Sequence, residues 1–238
     1  MYLWRVHKFD FSVWVVAFIG TLFLGVELGL GLAVGISLLL VIFESAYPPT
    51  AELGRLPGTN HYRNVKQYPD AERYDGIVLV RVDAPIYFAN AQHCRDKVQK
   101  YYRRAEEKLQ AEHKEGEHQE VPDVKFVILD LAPVSHVDTS ALHTLQEIRS
   151  TFHRENDAVL CLANPNPRVM QRLFRSGLAD EIGRDHIFVS LNDAVHFCLD
   201  HMHSKEIQRR STPNLQNLNA VDEEAAVPGP PMQKNENA

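Results

Sequence analysis

The residues Val137 to Leu142 bring a carboxylate and two hydroxyls together between a predicted strand and a predicted helix. Asp138, Thr139 and Ser140 are adjacent in this run. A loop that enters a helix presents free backbone N–H groups and the positive end of the helix dipole, which together favour an anion. Phosphorylation of Ser140 or Thr139 would add a charge of about -1.5 to -2 at a place that tolerates it. The run is therefore a candidate regulatory site.

The same three residues have a structural alternative. Asp, Ser and Thr are common at the N-cap of a helix, where the side-chain oxygen accepts a hydrogen bond from a free backbone amide. Spacing alone does not separate a cap from a phosphorylated switch, and both interpretations stay open.

Catalysis finds little support in the residues around this loop. Serine, histidine and aspartate occur together between positions 135 and 143, but no G-x-S-x-G turn accompanies them. Asp130 and Asp138 form no evident acid/base pair, and His136 and His143 are expected to be surface or packing residues. Glycine patterns that bind phosphates or dinucleotides are absent from the sequence. We predict that the chain is not an enzyme and carries no cofactor.

Composition argues against several other classes of protein. The net charge of -6 disfavours a nucleic-acid-binding protein, which usually has a basic surplus. The cysteines Cys94, Cys161 and Cys198 include no C-x-x-C pair, and the twelve histidines include no H-E-x-x-H pair. We therefore expect no metal site and no disulfide framework, and we expect the polar part of the chain to face a reducing compartment.

Strands alternate with helices through the middle of the chain, which predicts an α/β layer with a mixed, mostly parallel sheet. Apolar, β-branched runs predict strands, and 3.6-residue periodicity predicts helices. The predicted strands are 77–83, 85–88, 124–131, 158–162 and 187–189, and the predicted helices are 91–114, 140–154, 167–175 and 191–203.

A long apolar stretch, Phe11 to Phe43, precedes this layer and contains one charged residue, Glu27. It is too long for one ordinary membrane helix and short for two. We predict a transmembrane hairpin with arms at 11–26 and 30–43 and a turn near residues 27–29. Each arm would be about 22 Å long. One long tilted helix is the alternative.

Features within and around the stretch support the hairpin. Small residues recur at Gly25, Gly29, Ala33 and Ser37, a spacing that lets helix backbones approach closely. Basic residues flank both ends of the stretch, which favours two cytoplasmic ends. Glu27 could serve as an ion relay or could simply cap the turn. Such short arms are expected to pack on further membrane protein.

These patterns divide the chain into five parts. Residues 1–10 lead into the hairpin at 11–43; a proline- and glycine-containing linker occupies 44–75; the α/β domain occupies 76–203; and the polar residues 204–238 are predicted to be disordered.

Several motifs in order resemble the sulfate permease (SulP) family, most closely the plant and algal sulfate transporters. They are Leu53 to Thr59 (LGRLPGT), Tyr62 to Asn64, Gln67 to Pro69 and Arg81 to Asn90 (RVDAPIYFAN). The later run Asp130 to Leu142 (DLAPVSHVDTSAL) resembles the STAS domain that ends those transporters. The resemblance covers roughly residues 4–203.

The resemblance implies a STAS-type fold and the C-terminal part of a secondary active sulfate transporter, often proton-coupled. The chain would then hold the last two membrane helices and a cytoplasmic STAS domain for assembly and regulation, and no residue of the sulfate site. Implied partners are the remainder of the transporter or another membrane protein, a second copy in a homodimer, and a cytoplasmic regulatory protein or kinase. We expect an integral protein of the plasma membrane or an organellar membrane, and a piece of a longer chain. The alternative is a membrane-tethered STAS binding module without transport.

The resemblance also bears on the regulatory residues. The STAS domain also resembles the bacterial anti-sigma factor antagonists, in which a phosphorylatable serine follows aspartate in D-S-S-G or D-T-S-G. By position this resemblance places the serine at Ser140, with Thr139 as its neighbour. Ala141 stands where glycine is usual. Ser211, between Arg210 and Thr212, is a second possible phosphorylation site in the tail.

Overall fold

The computed structural model describes residues 8–113 and 123–211. The apolar stretch forms two helices, α1 (Lys8–Leu24) and α2 (Val26–Ala46), separated by Gly25 alone. Gly25 has φ 89° and ψ 163°, a backbone conformation that is essentially limited to glycine. The hairpin turn is therefore at residue 25, and the predicted turn at 27–29 is wrong. Glu27 lies instead in the first turn of α2, where the helix dipole favours a carboxylate.

The small residues of the hairpin divide into a contact and an exposed group. Gly29 and Ala33 are buried, as the spacing predicted, whereas Gly25 forms the turn and Ser37 is exposed. The second backbone at the contact belongs to Gly20, because a Cβ atom built on Gly20 would lie 3.1 Å from the Cα of Gly29. Within the described ranges, α2 alone is long and apolar enough to cross a membrane, and the apolar part of α1, Phe11–Leu24, is shorter.

Six strands form one sheet in the order β2-β1-β3-β4-β5-β6. The pairs β3-β4, β4-β5 and β5-β6 are parallel, and β1 pairs antiparallel with both β2 and β3. This arrangement confirms the predicted mixed, mostly parallel sheet. The strands are β1 (Thr50–Arg55), β2 (Tyr62–Asn64), β3 (Ile77–Val82), β4 (Phe126–Asp130), β5 (Val159–Ala163) and β6 (Ile187–Phe188).

Two strands lie in the segment that the sequence assigned to a linker, residues 44–75. Ala51 and Leu53 of β1 are 3% and 1% exposed, so this segment belongs to the folded domain. Both strands are short and lie among prolines and glycines, which hides their alternating pattern in the sequence. The strand predicted at 85–88 does not form. Of these residues only Ile86 makes a bridge, to Val137, and Phe88 already begins a helix.

Of the five helices that follow in the described residues, three agree with the predicted ones to within a few residues, the last extends further, and the helix at Leu178–Ile182 was not predicted. The five are α3 (Phe88–His113), α4 (Thr139–Asn156), α5 (Pro167–Arg175), α6 (Leu178–Ile182) and α7 (Leu191–Ser211), with a 3₁₀ turn at Arg184–His186. Helix α7 runs beyond the predicted end at residue 203, into the segment predicted to be disordered. Among the described residues, the boundary between two compact units lies within α7, between Val195 and His196.

The core of the first unit lies between the sheet and helices α3, α4, α5 and α6. All five residues of β4 are buried, as expected for a central parallel strand covered on both faces. Tyr102 of α3 stacks on Phe152 of α4 with ring centroids 4.5 Å apart. Both rings are fully buried, so the stacked pair packs α3 against α4 in the core.

Candidate functional site

The loop before α4 is held by the turn that leads into α3. The amide of Ile86 donates to the carbonyl of His136 over 3.0 Å, and the amide of Asp138 donates to the carbonyl of Ile86 over 3.3 Å. Val137 between them is fully buried. These backbone contacts hold the loop in place independently of the hydrogen bonds of its side chains.

Asp138 is the N-cap of α4. Its backbone is extended, with φ -100°, and its Oδ1 accepts a hydrogen bond of 2.8 Å from the amide of Ala141. Its Oδ2 accepts a second bond of 2.8 Å from the amide of Phe88, the first residue of α3. Asp138 therefore fills the N-cap role, and its carboxylate satisfies a free amide at the start of each of two helices.

Thr139 and Ser140 are the first two residues of α4. Thr139 is exposed and Ser140 is half-buried, so solvent reaches both positions. Ala141, at the glycine position of the D-S-S-G pattern, is fully buried within the first turn of the helix. The helical backbone there makes no demand for glycine. An anion on either hydroxyl would meet the positive end of α4 and, beside it, the carboxylate of Asp138.

Asp130, at the end of β4, belongs to a separate set of loop contacts. It is 6% exposed, and its Oδ1 accepts bonds from the amide of Ala132 at 3.1 Å and from Nδ2 of Asn164 at 2.9 Å. Asn164 has φ 55°, in the left-handed region. Asn166, the N-cap of α5, donates from Nδ2 to the carbonyl of Val134 at 2.6 Å. These hydrogen bonds give Asp130 a structural role, which is to hold the conformation of the loop that follows β4.

The other candidate residues are dispersed. His136 is exposed, and His143 is exposed and lies 3.5 Å from Glu147 one turn along α4. Cys94, Cys161 and Cys198 are buried free thiols, and burial raises the pKa of Cys94 to about 11. Within residues 8–113 and 123–211, no group of three potential ligands could hold a metal ion.

Ser211 is the last residue of α7, and the positions that follow it, Thr212 and Pro213, lie outside the described residues. The structure therefore does not test its role as a phosphorylation site.

Asn90 is a residue that the sequence did not single out, although it ends the motif at 81–90. It is fully buried near the start of α3. Its Nδ2 donates to the carbonyl of Pro85 at 2.9 Å and to the carbonyl of Ser45 at 3.3 Å. Its Oδ1 accepts from the amide of Tyr87 at 3.0 Å. The one sequence signal for this position was its place at the end of that motif, because its burial is visible only in the structure.

Comparison with known proteins places these features in context. The model of the STAS domain family matches residues 68–194. The chain is 42% identical over 208 residues to Sulfate transporter 4.1, chloroplastic, of Arabidopsis thaliana, covering 87% of this chain and 29% of that protein. It is 41% identical over 216 residues to Probable sulfate transporter 4.2 of the same plant, covering 90% of this chain and 31% of that protein.

A solved structure gives the same picture. The chain resembles the murine Solute Carrier 26 family member A9 (Slc26a9) anion transporter in the inward-facing state, with a TM-score of 0.65 and 30% identity. The match covers 84% of this chain and 30% of that one. The chain thus spans about three tenths of the length of the relatives that it matches.

Proposed function

The chain belongs to the STAS domain family, and from this membership and its likeness to sulfate transporters we propose that it is the C-terminal portion of a secondary active, proton-coupled sulfate transporter. Helices α1 and α2 are the last membrane helices of that transporter. The STAS domain lies on the cytoplasmic side, where it serves assembly as a homodimer and regulation.

The extent of the similarity carries this proposal. The match covers 90% of the chain, and the few residues outside it are not enough for the match to begin after α2. The likeness is therefore not confined to the STAS domain at 68–194. A membrane helix and a STAS domain that match one transporter together, in order, point to the same assembly here. The structural likeness to an anion transporter, over 84% of the chain, supports the same conclusion.

The hairpin itself supports a partner in the membrane. Its large apolar side chains are exposed, including Phe23 at 78%, Val26 at 70% and Leu22 at 68%. Among the described residues of α1 and α2, those that are buried are the small ones, Gly20, Gly29 and Ala33. Such a surface requires lipid or further helices around it, and the apolar part of α1, about 21 Å long, is better accommodated against other helices than against lipid alone.

A chimera tests the proposal. The matching part of Sulfate transporter 4.1 is replaced by this chain, and uptake of labelled sulfate is measured in cells that lack their own sulfate transport. We expect the chimera to restore uptake, which should rise as the external pH falls and should collapse with a protonophore. The same transporter ending before the replaced part is the control and should be inactive.

A chimera that reaches the membrane in normal amount but takes up no sulfate would contradict the proposal. That outcome would favour the alternative, a membrane-tethered STAS module that binds a partner. Uptake that is independent of pH and protonophore would contradict only the proton coupling.

The regulatory part of the proposal concerns Ser140, with Thr139 as the neighbouring acceptor of a phosphoryl group from a cytoplasmic kinase. Its support is the accessibility of both residues and their place at the positive end of α4. The carboxylate of Asp138 beside them would be repelled by the added charge. Phosphorylation would then weaken the hydrogen bond that the amide of Phe88 donates to Asp138.

A further inference from the structure

We propose that Asn90 is a positioning residue that joins the end of membrane helix α2 to the Asp138 loop, so that loosening either one loosens the other. The coupling itself is a property of the described contacts, and its use in controlling transport rests on the proposed function. The segment from Pro85 to Asn90 is the part that both sides hold.

The first half of this connection is the cap of α2. The last four carbonyl groups of a helix lack partners within it and need donors from elsewhere. The carbonyl of Ser45, one residue before the end of α2, accepts from Nδ2 of Asn90 at 3.3 Å and from the hydroxyl of Tyr87 at 3.2 Å. The ring of Tyr47, the C-cap residue, meets His93 edge-on at 5.1 Å. The end of α2 is therefore held by the first turns of α3.

Asn90 is suited to this place by its chemistry. Both N–H donors of its amide are used, on Ser45 and Pro85, and its oxygen accepts from Tyr87. Aspartate would lack the donors, and alanine would remove both donors and the oxygen that accepts from the amide of Tyr87. A side chain with 0% exposure has no water to replace these partners.

The second half of the connection is the next amide along the chain. Asn90 fixes the amide of Tyr87, and the amide of the following residue, Phe88, donates to Oδ2 of Asp138 at 2.8 Å. The amide of Ile86, on the other side, donates to the carbonyl of His136 at 3.0 Å. Residues 85–90 are thus bonded to α2 through two side chains and to the Asp138 loop through two backbone amides.

The peptide groups that carry the amides of Tyr87 and Phe88 are each planar and share the Cα atom of Tyr87, and both amides are held by hydrogen bonds, so a displacement of one changes the geometry of the other. Hydrogen bonds weaken steeply once their length and angle leave a narrow range. A displacement of α2 that pulls on Asn90 and Tyr87 therefore disturbs the amide of Phe88, and with it the carboxylate that caps α4. The reverse path runs from Asp138 to the end of α2.

Hydrogen exchange on the full chain in lipid nanodiscs tests this coupling. The variants are Tyr87→Phe, which removes only the hydroxyl on Ser45, and Asn90→Ala. We expect exchange to accelerate about fivefold or more at the amides of residues 43–47 and at Ala141, whose amide donates to Asp138. Amides of β4 report global unfolding, so the expected local effect is an acceleration at residues 43–47 and Ala141 beyond that at β4.

Tyr101→Phe is the matched control. Tyr101 lies on the same helix, and its hydroxyl donates to the carbonyl of Thr50 in β1 at 3.1 Å, outside the proposed connection. This variant should leave both 43–47 and Ala141 unchanged. The reciprocal variant Asp138→Ala should accelerate exchange at residues 43–47.

Two results would overturn the inference. If residues 43–47 exchange faster in Tyr87→Phe while Ala141 does not, the cap of α2 is local and does not reach the loop. If residues 43–47 do not respond to any of the variants, the bonds to Ser45 do not hold the helix. Neither measurement involves sulfate, so a failed chimera and a failed coupling are distinguishable.

Discussion

Asp138 accepts a hydrogen bond of 2.8 Å from the backbone amide of Phe88, fifty residues earlier in the chain. The other oxygen of the same carboxylate caps α4 at Ala141. One carboxylate therefore links the first turn of α3 to the first turn of α4. The two helices also pack against each other side by side. The motif that carries this aspartate is for this reason a structural junction as well as a candidate regulatory site.

Asp138→Ala should lower the free energy of unfolding by about 1–3 kcal/mol, because it leaves two helix-start amides without their acceptor. Pulse proteolysis of the full chain in mild detergent, across a urea series, would measure the change. Asp180→Ala is the control, since Asp180 makes only an exposed pair with Arg184 one turn away. A loss in Asp180→Ala as large as that in Asp138→Ala would contradict the role of the shared carboxylate.

Gly29→Ala should disrupt the hairpin. A Cβ atom at Gly29 would lie 2.6 Å from the carbonyl carbon of Gly20, and backbone atoms cannot move aside cheaply. We expect a cost of about 1–3 kcal/mol, seen as a lower midpoint of thermal unfolding in detergent. Gly31→Ala is matched to it in helix and chemistry, but a Cβ there has open space. Equal midpoints for the two variants would show that the close contact is not needed.

Asn164→Gly and Asp157→Gly should have opposite effects although both residues have a left-handed backbone, with φ 55° and 52°. Glycine relieves the strain at each position. Asp157 is the exposed C-cap of α4, so its replacement should be neutral or stabilising. Asn164→Gly removes the donor to buried Asp130 and should cost about 1–3 kcal/mol. Urea unfolding of both variants would test this, and a stable Asn164→Gly would argue that water replaces the bond.

Glu106→Gln should change the dependence of stability on pH. Burial, helped by the nearby charges of Glu155 and Asp123, raises the pKa of the Glu106 carboxyl. The folded state then binds the proton more tightly than the unfolded state. The contribution of Glu106 to stability is therefore greatest at acid pH, and it is lost as the pH rises from the usual glutamate range through the raised pKa.

The glutamine variant lacks this fall, so its stability relative to the wild type should increase as pH rises through that window. Urea unfolding at a series of pH values would measure the difference. Glu107→Gln, at the exposed neighbouring position, is the control. A constant difference between Glu106→Gln and the wild type at every pH would contradict the raised pKa.

Ser140→Asp should alter sulfate uptake by the chimera while leaving the amount of folded protein unchanged. A carboxylate in the first turn of α4 is favoured by the helix dipole by about 0.3–1 kcal/mol, so any change in uptake would not come from unfolding. Ser140→Ala and Thr139→Asp show whether the effect depends on charge and on position. Uptake that is the same in all three variants and the wild type would remove Ser140 and Thr139 as regulatory residues.

The sequence by itself determined the division into an apolar hairpin and an α/β domain, and most of the helices and parallel strands of that domain. Helix α5 begins and ends where it was predicted, at Pro167 and Arg175, because proline at the first position and the apolar spacing are local signals. Strands β3, β4 and β5 were found because buried parallel strands are continuous apolar runs. The resemblance to sulfate transporters also rested on short motifs that can be read in order.

Only the tertiary structure decided which residues meet across long separations. The sequence could not show that β1 joins the sheet, because a six-residue strand next to prolines has little local signal and is defined by its antiparallel pairing with β3. It could not place the turn of the hairpin, because five glycines in the stretch were each possible turn residues. The close packing of Gly29 on Gly20 in the folded hairpin puts the turn between them, at Gly25. The bonds from Asn90 to Ser45 and from Phe88 to Asp138 join residues 45 and 50 apart. Propensity and periodicity act over one or two helical turns, whereas these bonds exist only when the chain has folded back on itself.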